Sequence, residues 1–345
     1  FKNNKIILTF VALFVIFISY LLAPTFFKQS EVSIKFQNEL KDKFNINFKF
    51  SNDINYSFFP RPHFTTSSST YFNDKEDFSK IKKLTIYISF DKLFSLKNIQ
   101  VKDVIFENAN FNLNRKNYSF FFQLLNKNFK DGSLIIKNSN IFFKNLQEDV
   151  LFINKIIKMK YYYEPKELKN IFYSENEVFN IPFSMETFFN ENKSKIFSKI
   201  DLNLIKFKIE NELNLSDEKI TGKSEFIYNK LKRIVEYQIE KNFFKFHVFD
   251  KLDQPNTTYK GKFNFKPFYA NIEGDLNEID LNYLFGSNAI IVQLLKTEIF
   301  NNKNLDFKLS LNAETIYKNA NFRNISLKSK IQEGLIDTDR TKFEW

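Results

Sequence analysis

The pattern of hydrophobic positions divides the chain into one unbroken apolar segment and a long alternating region. No charged residue interrupts Ile6–Phe27, and lysines stand on both sides of it at Lys5 and Lys28. About 20 helical residues, each rising roughly 1.5 Å, cross the ~30 Å hydrocarbon core of a bilayer. The segment therefore predicts a single transmembrane helix near the start of the chain.

Two other interpretations of this segment are a cleaved signal peptide and a buried helix of a soluble domain. The apolar part of a signal peptide usually runs about 7–15 residues and ends at a small-residue cleavage site. Here the run is longer, and bulky Leu22 and Phe26 surround the only suitable small residue, Ala23. A buried helix would need apolar neighbours on every side. The pattern favours an uncleaved anchor.

The flanking charges predict the orientation of this anchor. Lys2 and Lys5 lie in a very short tail before it, whereas a long region follows it. Short loops rich in lysine stay in the cytoplasm, and long domains translocate largely regardless of charge. We therefore expect residues 1–28 to form a cytoplasmic tail and anchor, and residues 29–345 to lie outside the cytoplasm.

A short amphipathic helix is predicted directly after the anchor. Ser30 followed by Glu31 is typical of a helix start. Apolar residues then recur at every fourth position, at Val32, Phe36, Leu40 and Phe44. Such a stripe belongs either to a helix that packs on a protein core or to one that lies on the membrane surface. The core interpretation is favoured.

From Phe44 onward the hydrophobic period changes to two, which is the period of a strand with one apolar face. Clear examples are Leu84–Phe90, Ile200–Leu204, Tyr259–Phe265 and Leu305–Ala313. A helix over Ala289–Phe300 interrupts the strands. Gly132–Lys144 predicts two short strands around an Asn-Ser-Asn turn, and Gly334–Trp345 has the same layout. Antiparallel sheets with one dry face give this alternation.

The apolar face of these strands must contact something. Either a second sheet covers it, as in a sandwich, or the sheet curls around a trough with apolar contents. In the second case the residues that face lipid are predicted to be Leu84, Ile86, Ile88, Phe263, Phe265, Phe307, Leu309 and Leu311.

Composition and motifs argue against most other functions. The formal charge is +11, but the lysines are scattered on alternate strand positions, so nucleic-acid binding is not expected. Cysteine is absent, and neither His63 nor His247 has a metal-ligand spacing. Acid pairs such as Asp337/Asp339 and Glu210/Glu212 are ordinary on strand surfaces. We expect no catalytic site, no metal and no cofactor; an envelope hydrolase would need a pocket with convergent acids or histidines.

The anchor and the short helix are followed by the proline-containing Ile54–Pro62 and by the strand–turn–strand order of Ile81–Phe90 and Asp91–Leu113. This order of elements resembles the N-terminal region of the AsmA family of bacterial envelope proteins. Leu284–Leu309 resembles the C-terminal half of such proteins. The polar Thr65–Thr70 departs from the family pattern, which puts a strand there in doubt.

The resemblance implies a mainly β fold: a transmembrane helix, then an elongated, curled, groove-like antiparallel sheet with a few short helices, incomplete at its C-terminus. It also implies an inner-membrane, single-pass, periplasmic protein of outer-membrane biogenesis that binds or channels phospholipid along the groove. A lipid tail gains roughly 0.8 kcal/mol per buried methylene. The alternative is a non-enzymatic assembly factor that docks envelope protein partners through exposed strand edges.

Overall fold

The structure is a computed structural model of the 345-residue chain. It describes all residues except positions 1, 46, 73–75, 115–116, 118, 146, 216–219, 229–230, 241–242, 250–257, 266–267, 288 and 345.

The described residues are mainly β, as predicted: they form 20 strands of one mixed sheet, and a few helices accompany it. The wholly antiparallel arrangement is wrong, because β16 and β17 pair in parallel. The helices are α1 (Lys2–Leu22), α2 (Gln29–Phe44), α3 (Phe120–Leu124), α4 (Leu281–Phe285) and α5 (Ile290–Leu295). The strands are β1 (Asn47–Phe50), β2 (Asn55–Ser57), β3 (His63–Phe72), β4 (Glu76–Ile88), β5 (Val101–Leu113), β6 (Leu134–Lys144), β7 (Val150–Glu164), β8 (Lys169–Val178), β9 (Ile181–Phe189), β10 (Lys195–Leu202), β11 (Phe207–Asn214), β12 (Ile220–Tyr228), β13 (Leu231–Glu240), β14 (Phe243–Phe249), β15 (Thr258–Phe265), β16 (Phe268–Ile279), β17 (Leu305–Ile316), β18 (Asn319–Gln332), β19 (Leu335–Asp337) and β20 (Lys342–Glu344).

The chain forms two compact units. Unit 1 comprises Phe1–Phe142 and Lys155–Phe172, and unit 2 comprises Phe143–Asn154 and Tyr173–Trp345. The anchor helix belongs to the same unit as the first strands.

The N-terminal helix matches the prediction. Helix α1 continues into a 3₁₀ turn at Ala23–Phe26, and Lys5–Phe26 is long and apolar enough to span a membrane. Its apolar side chains before Leu21 lie almost entirely on the outside of the protein, which is typical of a helix surrounded by lipid and not of a core helix.

Helix α2 packs on the core of unit 1, as predicted. Its stripe is buried at Val32, Phe36, Leu40 and Phe44. The ring of Phe36 lies 5.1 Å from that of Phe64 on β3, and the ring of Phe44 lies 6.4 Å from that of Phe106 on β5. The four-residue spacing thus aims one side of α2 at the sheet.

The polar segment Thr65–Thr70 is part of a strand, β3, so the doubt about a strand there was misplaced. Its buried hydroxyls find partners: Thr70 and Ser79 share a hydrogen bond of 2.6 Å, and Thr66 and Ser51 share one of 2.9 Å. Paired hydroxyls remove most of the cost of burying polar atoms, and threonine suits a pleated strand.

The predicted turn in Gly132–Lys144 is wrong, because Leu134–Lys144 forms one strand. Asn138 has a left-handed backbone (φ 47°) within that strand, and Asn108 (φ 53°) does the same within β5. Asparagine tolerates this conformation better than most residues. The same residue type that marks turns in sequence here marks irregular points inside long strands.

In unit 2, β9 to β16 follow one another as antiparallel neighbours, from β9–β10 through β15–β16. The crossover to the parallel strand β17 contains α4, α5 and a 3₁₀ turn, so the predicted helix Ala289–Phe300 is divided and its first part is Ile290–Leu295. The core of this end of the unit consists of Leu276, Ile279, Leu311, Ala313 and Ile325.

The C-terminal strands agree with the predicted layout. Gln332 pairs with Leu335 across the two-residue turn Glu333-Gly334, and both turn residues have positive φ (53° and 82°). Positive φ at both positions is the backbone of the tight hairpin turn that suits the twist of paired strands, and glycine adopts it without strain.

Candidate functional site

One side of the antiparallel strands in unit 2 carries a row of mostly apolar residues across their width. Residues that pair across neighbouring strands lie on the same side of a sheet. In the row that starts at Leu213, the successive partners are Gly222, Tyr237, Phe246, Gly261, Ile272 and Leu309. We call this side of β11–β15 the aromatic face; its described rings are Phe207, Phe226, Tyr228, Tyr237, Phe244, Phe246, Tyr259 and Phe263.

The rings of the aromatic face contact one another from strand to strand. The centroids of Phe207 and Phe226 are 5.5 Å apart, and those of Tyr237 and Phe244 are 5.8 Å apart. Phe244 also lies 5.4 Å from Phe263 on the next strand. These separations are within the usual range of favourable aromatic pairs. The face therefore carries two groups of contacting rings, Phe207 with Phe226 and Tyr237 with Phe244 and Phe263.

Two glycines allow rings to lie across the strands. A Cβ at Gly222 would overlap the ring of Tyr237, its partner on β13, and a Cβ at Gly261 would overlap the ring of Phe246 on β14. Each ring occupies the space above the glycine on the neighbouring strand. Such ring-over-glycine pairs support a strand glycine that lacks its own packing side chain.

All eight described rings of the aromatic face are half-buried. The extensive contacts of the strands β12–β15 are with their neighbours in the sheet. Val235 and Ser224, which lie among the rings, are buried, whereas each ring keeps part of its surface exposed. Exposure of this much apolar surface to water is unfavourable.

A polar row crosses the same side of the sheet. It consists of Thr187, Ser198, Asn211 and Ser224 on four successive strands. The Ser224 hydroxyl and the Tyr237 hydroxyl both donate to Asn211 Oδ1, at 2.8 and 2.6 Å. Burial raises the pKa of Tyr237, and its hydrogen bonds with Asn211 and Ser224 partly offset that effect. The row lies within the aromatic face, because Ser224 is between Gly222 and Phe226 on β12.

The opposite side of these strands is charged. One row reads Glu212, Lys223, Glu236, His247 and Lys260. Lys195 pairs with Glu212 at 2.6 Å, and Lys260 pairs with Glu273 at 3.4 Å. A shallow cavity of about 670 Å³ lies along this row. Alternating signs on a solvated face neutralise one another, so this side presents no concentrated charge to a ligand.

The structure separates the eight predicted lipid-facing residues. Leu84, Ile86 and Ile88 are buried, which corrects their assignment to a groove. Leu84 is paired with Phe106 and Ile86 with Phe64, the two residues that α2 covers with its phenylalanines. They belong to a closed core because the amphipathic helix supplies the apolar partner that their strand face needs.

Leu311 is also corrected, because it is buried in the core cluster of unit 2, and Leu309 packs against that cluster. Phe307 is half-buried beside them on β17. Phe263 alone is both on the aromatic face and half-buried there. The side chain of Phe265 lies outside the described residues.

Sequence reasoning missed most of the aromatic face. Phe207, Ile209, Asn211 and Leu213 alternate with charged residues, and Phe244, Phe246 and Val248 do the same. This period-two signal was available but is shorter and less regular than that of β15 and β17. The period of two does not show which of the alternating strands are covered by another element.

The two histidines have ordinary surroundings. His63 Nδ1 lies 2.7 Å from the carbonyl oxygen of Arg61, and its ring contacts Tyr87. His247 is exposed on the charged side. Within the described part of the chain, no group of three or more histidine and carboxylate side chains is arranged to hold a metal ion.

Comparison of the chain with protein-family models gives no match, and comparison with curated proteins gives no significant match.

Proposed function

We propose that this chain is a membrane-anchored, AsmA-like envelope protein that binds phospholipid acyl chains on the aromatic face of unit 2. The observation that carries the proposal is an array of half-buried aromatic rings on one side of the strands, with a charged, solvated reverse side. The proposed binding surface is one side of the strands β11–β15.

The physical basis is the removal of two hydrocarbon surfaces from water at once. Each methylene that leaves water contributes on the order of 0.8 kcal/mol, so a chain of several methylenes across two or three strands is held firmly. Rings that lie over Gly222 and Gly261 present smooth surfaces to a flexible chain. Such a surface binds acyl chains without recognising one fixed length.

The transmembrane helix determines the compartment in which the aromatic face lies. Helix α1 spans the inner membrane of a bacterium with its lysine-containing tail in the cytoplasm, and residues 29–345 lie in the periplasm. A lipid that leaves the bilayer travels with its tails against protein rather than water, and no covalent step is required. The protein then serves outer-membrane biogenesis as a lipid carrier or channel.

The test is photo-cross-linking and native mass spectrometry of the full chain extracted in detergent. Phe244→Asp and Phe263→Asp place a charge on the aromatic face and are expected to abolish lipid cross-linking. Lys262→Asp is the matched control, because Lys262 is next to Phe263 but exposed on the charged side.

Equal loss of lipid in the control and in the two phenylalanine variants would contradict the proposal. Retention of lipid in both phenylalanine variants would do so as well. Circular dichroism of each variant separates loss of binding from loss of fold. Stoichiometric protein partners without lipid would favour the assembly-factor alternative.

A further inference from the structure

Five exposed phenylalanines lie at or near the C-terminal end of α1. They are Phe26, Phe58, Phe59, Phe90 and Phe94, and we call them the exit phenylalanines. Phe26 is 85% exposed, Phe59 77% and Phe94 68%. Large apolar side chains presented together to water mark an interaction surface.

The last turn of α1 is fastened to the loop that carries two of these residues. The Tyr20 hydroxyl donates to the carbonyl oxygen of Phe90 at 2.8 Å and accepts from the amide of Leu93 at 3.2 Å. The rings of Tyr20 and Phe94 contact edge to face, with centroids 4.9 Å apart. The β4–β5 loop is therefore fixed at the end of the anchor.

The loop between β2 and β3 lies at the same end. The Tyr56 hydroxyl donates to the carbonyl oxygen of Leu21 in α1 at 2.7 Å. Pro62, which closes this loop, accepts a hydrogen bond of 3.1 Å from the amide of Ile88 at the end of β4. Phe58 and Phe59 thus belong to a loop held against both the anchor and the β4–β5 side of the sheet.

We propose that the exit phenylalanines insert into the headgroup region of the bilayer that α1 spans, so that unit 1 is seated on the membrane surface. Continuity with the anchor identifies this occupant: Phe26 ends the apolar span, and hydrogen bonds from Tyr20 and Tyr56 fix the neighbouring loops to that same end. Aromatic side chains are favoured at the membrane–water interface.

Most charged side chains near the exit phenylalanines are paired with a charge of opposite sign. Exposed Lys28 pairs with Glu31 at 3.5 Å, and Arg61 pairs with Asp103 at 2.8 Å. Lys92 stands beside Asp91 in the β4–β5 loop. Since the charges are largely balanced, attachment relies on apolar burial and persists in raised salt.

The test places a single tryptophan at this end of the full chain. Trp345 is the only tryptophan in the sequence, so Trp345→Phe gives a silent background. Phe58→Trp and Phe94→Trp are made in it and reconstituted in phosphatidylethanolamine–phosphatidylglycerol vesicles containing lipids brominated near the headgroups.

Phe122→Trp is the matched control within unit 1, since Phe122 is 40% exposed and Phe58 is 41% exposed. Phe122 follows the far end of β5, a strand of 13 residues that starts beside Ile88. At roughly 3.3 Å per residue, the strand separates the two ends by about 40 Å.

We expect bromolipid to quench Phe58→Trp and Phe94→Trp at least about twofold, with emission shifted to the blue, and to leave Phe122→Trp unchanged, because only the first two lie at interfacial depth. Failure of either exit position to exceed the control, or equal quenching at all three, overturns the proposal. The same quenching in a Phe244→Asp background keeps this result independent of lipid binding on the aromatic face.

Discussion

Units 1 and 2 differ in how the apolar sides of their strands are covered. Both contain strands with one apolar side. In unit 1 that side is closed, because α2 lays Phe36 and Phe44 against the rings of Phe64 and Phe106. In unit 2 the aromatic face, with Phe244 among its half-buried rings, has mainly neighbouring strands as contacts.

The difference comes from the covering elements and not from the strands. Helix α2 has 16 residues and carries four apolar side chains on one side, enough to span several strands. The crossover helices α4 and α5 have 5 and 6 residues, and Leu284 of α4 packs against the cluster around Leu276 and Leu311. A face without a long amphipathic partner stays available for a ligand.

Replacing one phenylalanine in each unit tests this comparison and has the largest expected effect. Phe36→Ala leaves a cavity under α2 and is expected to lower the free energy of unfolding by about 3–5 kcal/mol. Phe263→Ala removes a half-buried ring and is expected to cost about 1 kcal/mol, because less area is lost from a closed environment. Urea unfolding measures both; equal costs would show that the aromatic face is a closed core.

Gly222→Ala tests the ring-over-glycine packing. The added Cβ overlaps the Tyr237 ring, so the ring must move away, with an expected cost of about 1–3 kcal/mol. In a Tyr237→Ala background the same substitution should cost little, since the obstruction is gone. A thermal-melt double-mutant cycle measures the coupling, and additive effects would contradict the geometry.

One tyrosine in each unit, Tyr161 in unit 1 and Tyr237 in unit 2, provides a test at alkaline pH. Burial raises the pKa of Tyr161 well above its usual value, and its hydroxyl donates to the carbonyl oxygen of Phe121 at 2.7 Å. The folded state holds the neutral form while the unfolded state ionises, so stability is intact below pH ~10 and falls as the pH rises further.

Tyr161→Phe removes this titration together with one hydrogen bond, which costs about 1 kcal/mol at neutral pH. Its urea midpoint should therefore decline less steeply than that of the unsubstituted protein from pH 9 to 11.5. Tyr237→Phe should change the slope less, since Tyr237 is only half-buried. A steeper slope for Tyr161→Phe would contradict the sign of the shift.

The smallest effect is expected on the charged side. Lys262 is exposed, with its ammonium 3.9 Å from the centroid of the Phe243 ring. Lys262→Ser should change the unfolding free energy by at most about 0.5–1 kcal/mol, the value of an exposed cation–π contact. A loss as large as that of Phe36→Ala would show that this side is not solvated, and chemical denaturation decides between them.

The sequence by itself determined which residues share a side. The uncharged run predicted α1, the four-residue spacing of Val32, Phe36, Leu40 and Phe44 predicted a helix that packs on the core, and period two assigned Phe263 and Lys262 to opposite sides of β15. These are local consequences of helix and strand geometry, because 3.6 and 2 residues per repeat fix where neighbouring side chains lie.

Only the tertiary structure decided which apolar sides are closed. Leu84, Leu311 and Phe263 have the same sequence signature, yet the first lies under α2, the second in the unit 2 core, and the third on the aromatic face. The parallel pairing of β16 with β17 and the left-handed Asn138 within β6 were equally hidden. Each depends on contacts between residues far apart in the chain, and alternation along one strand carries no record of what stacks against it.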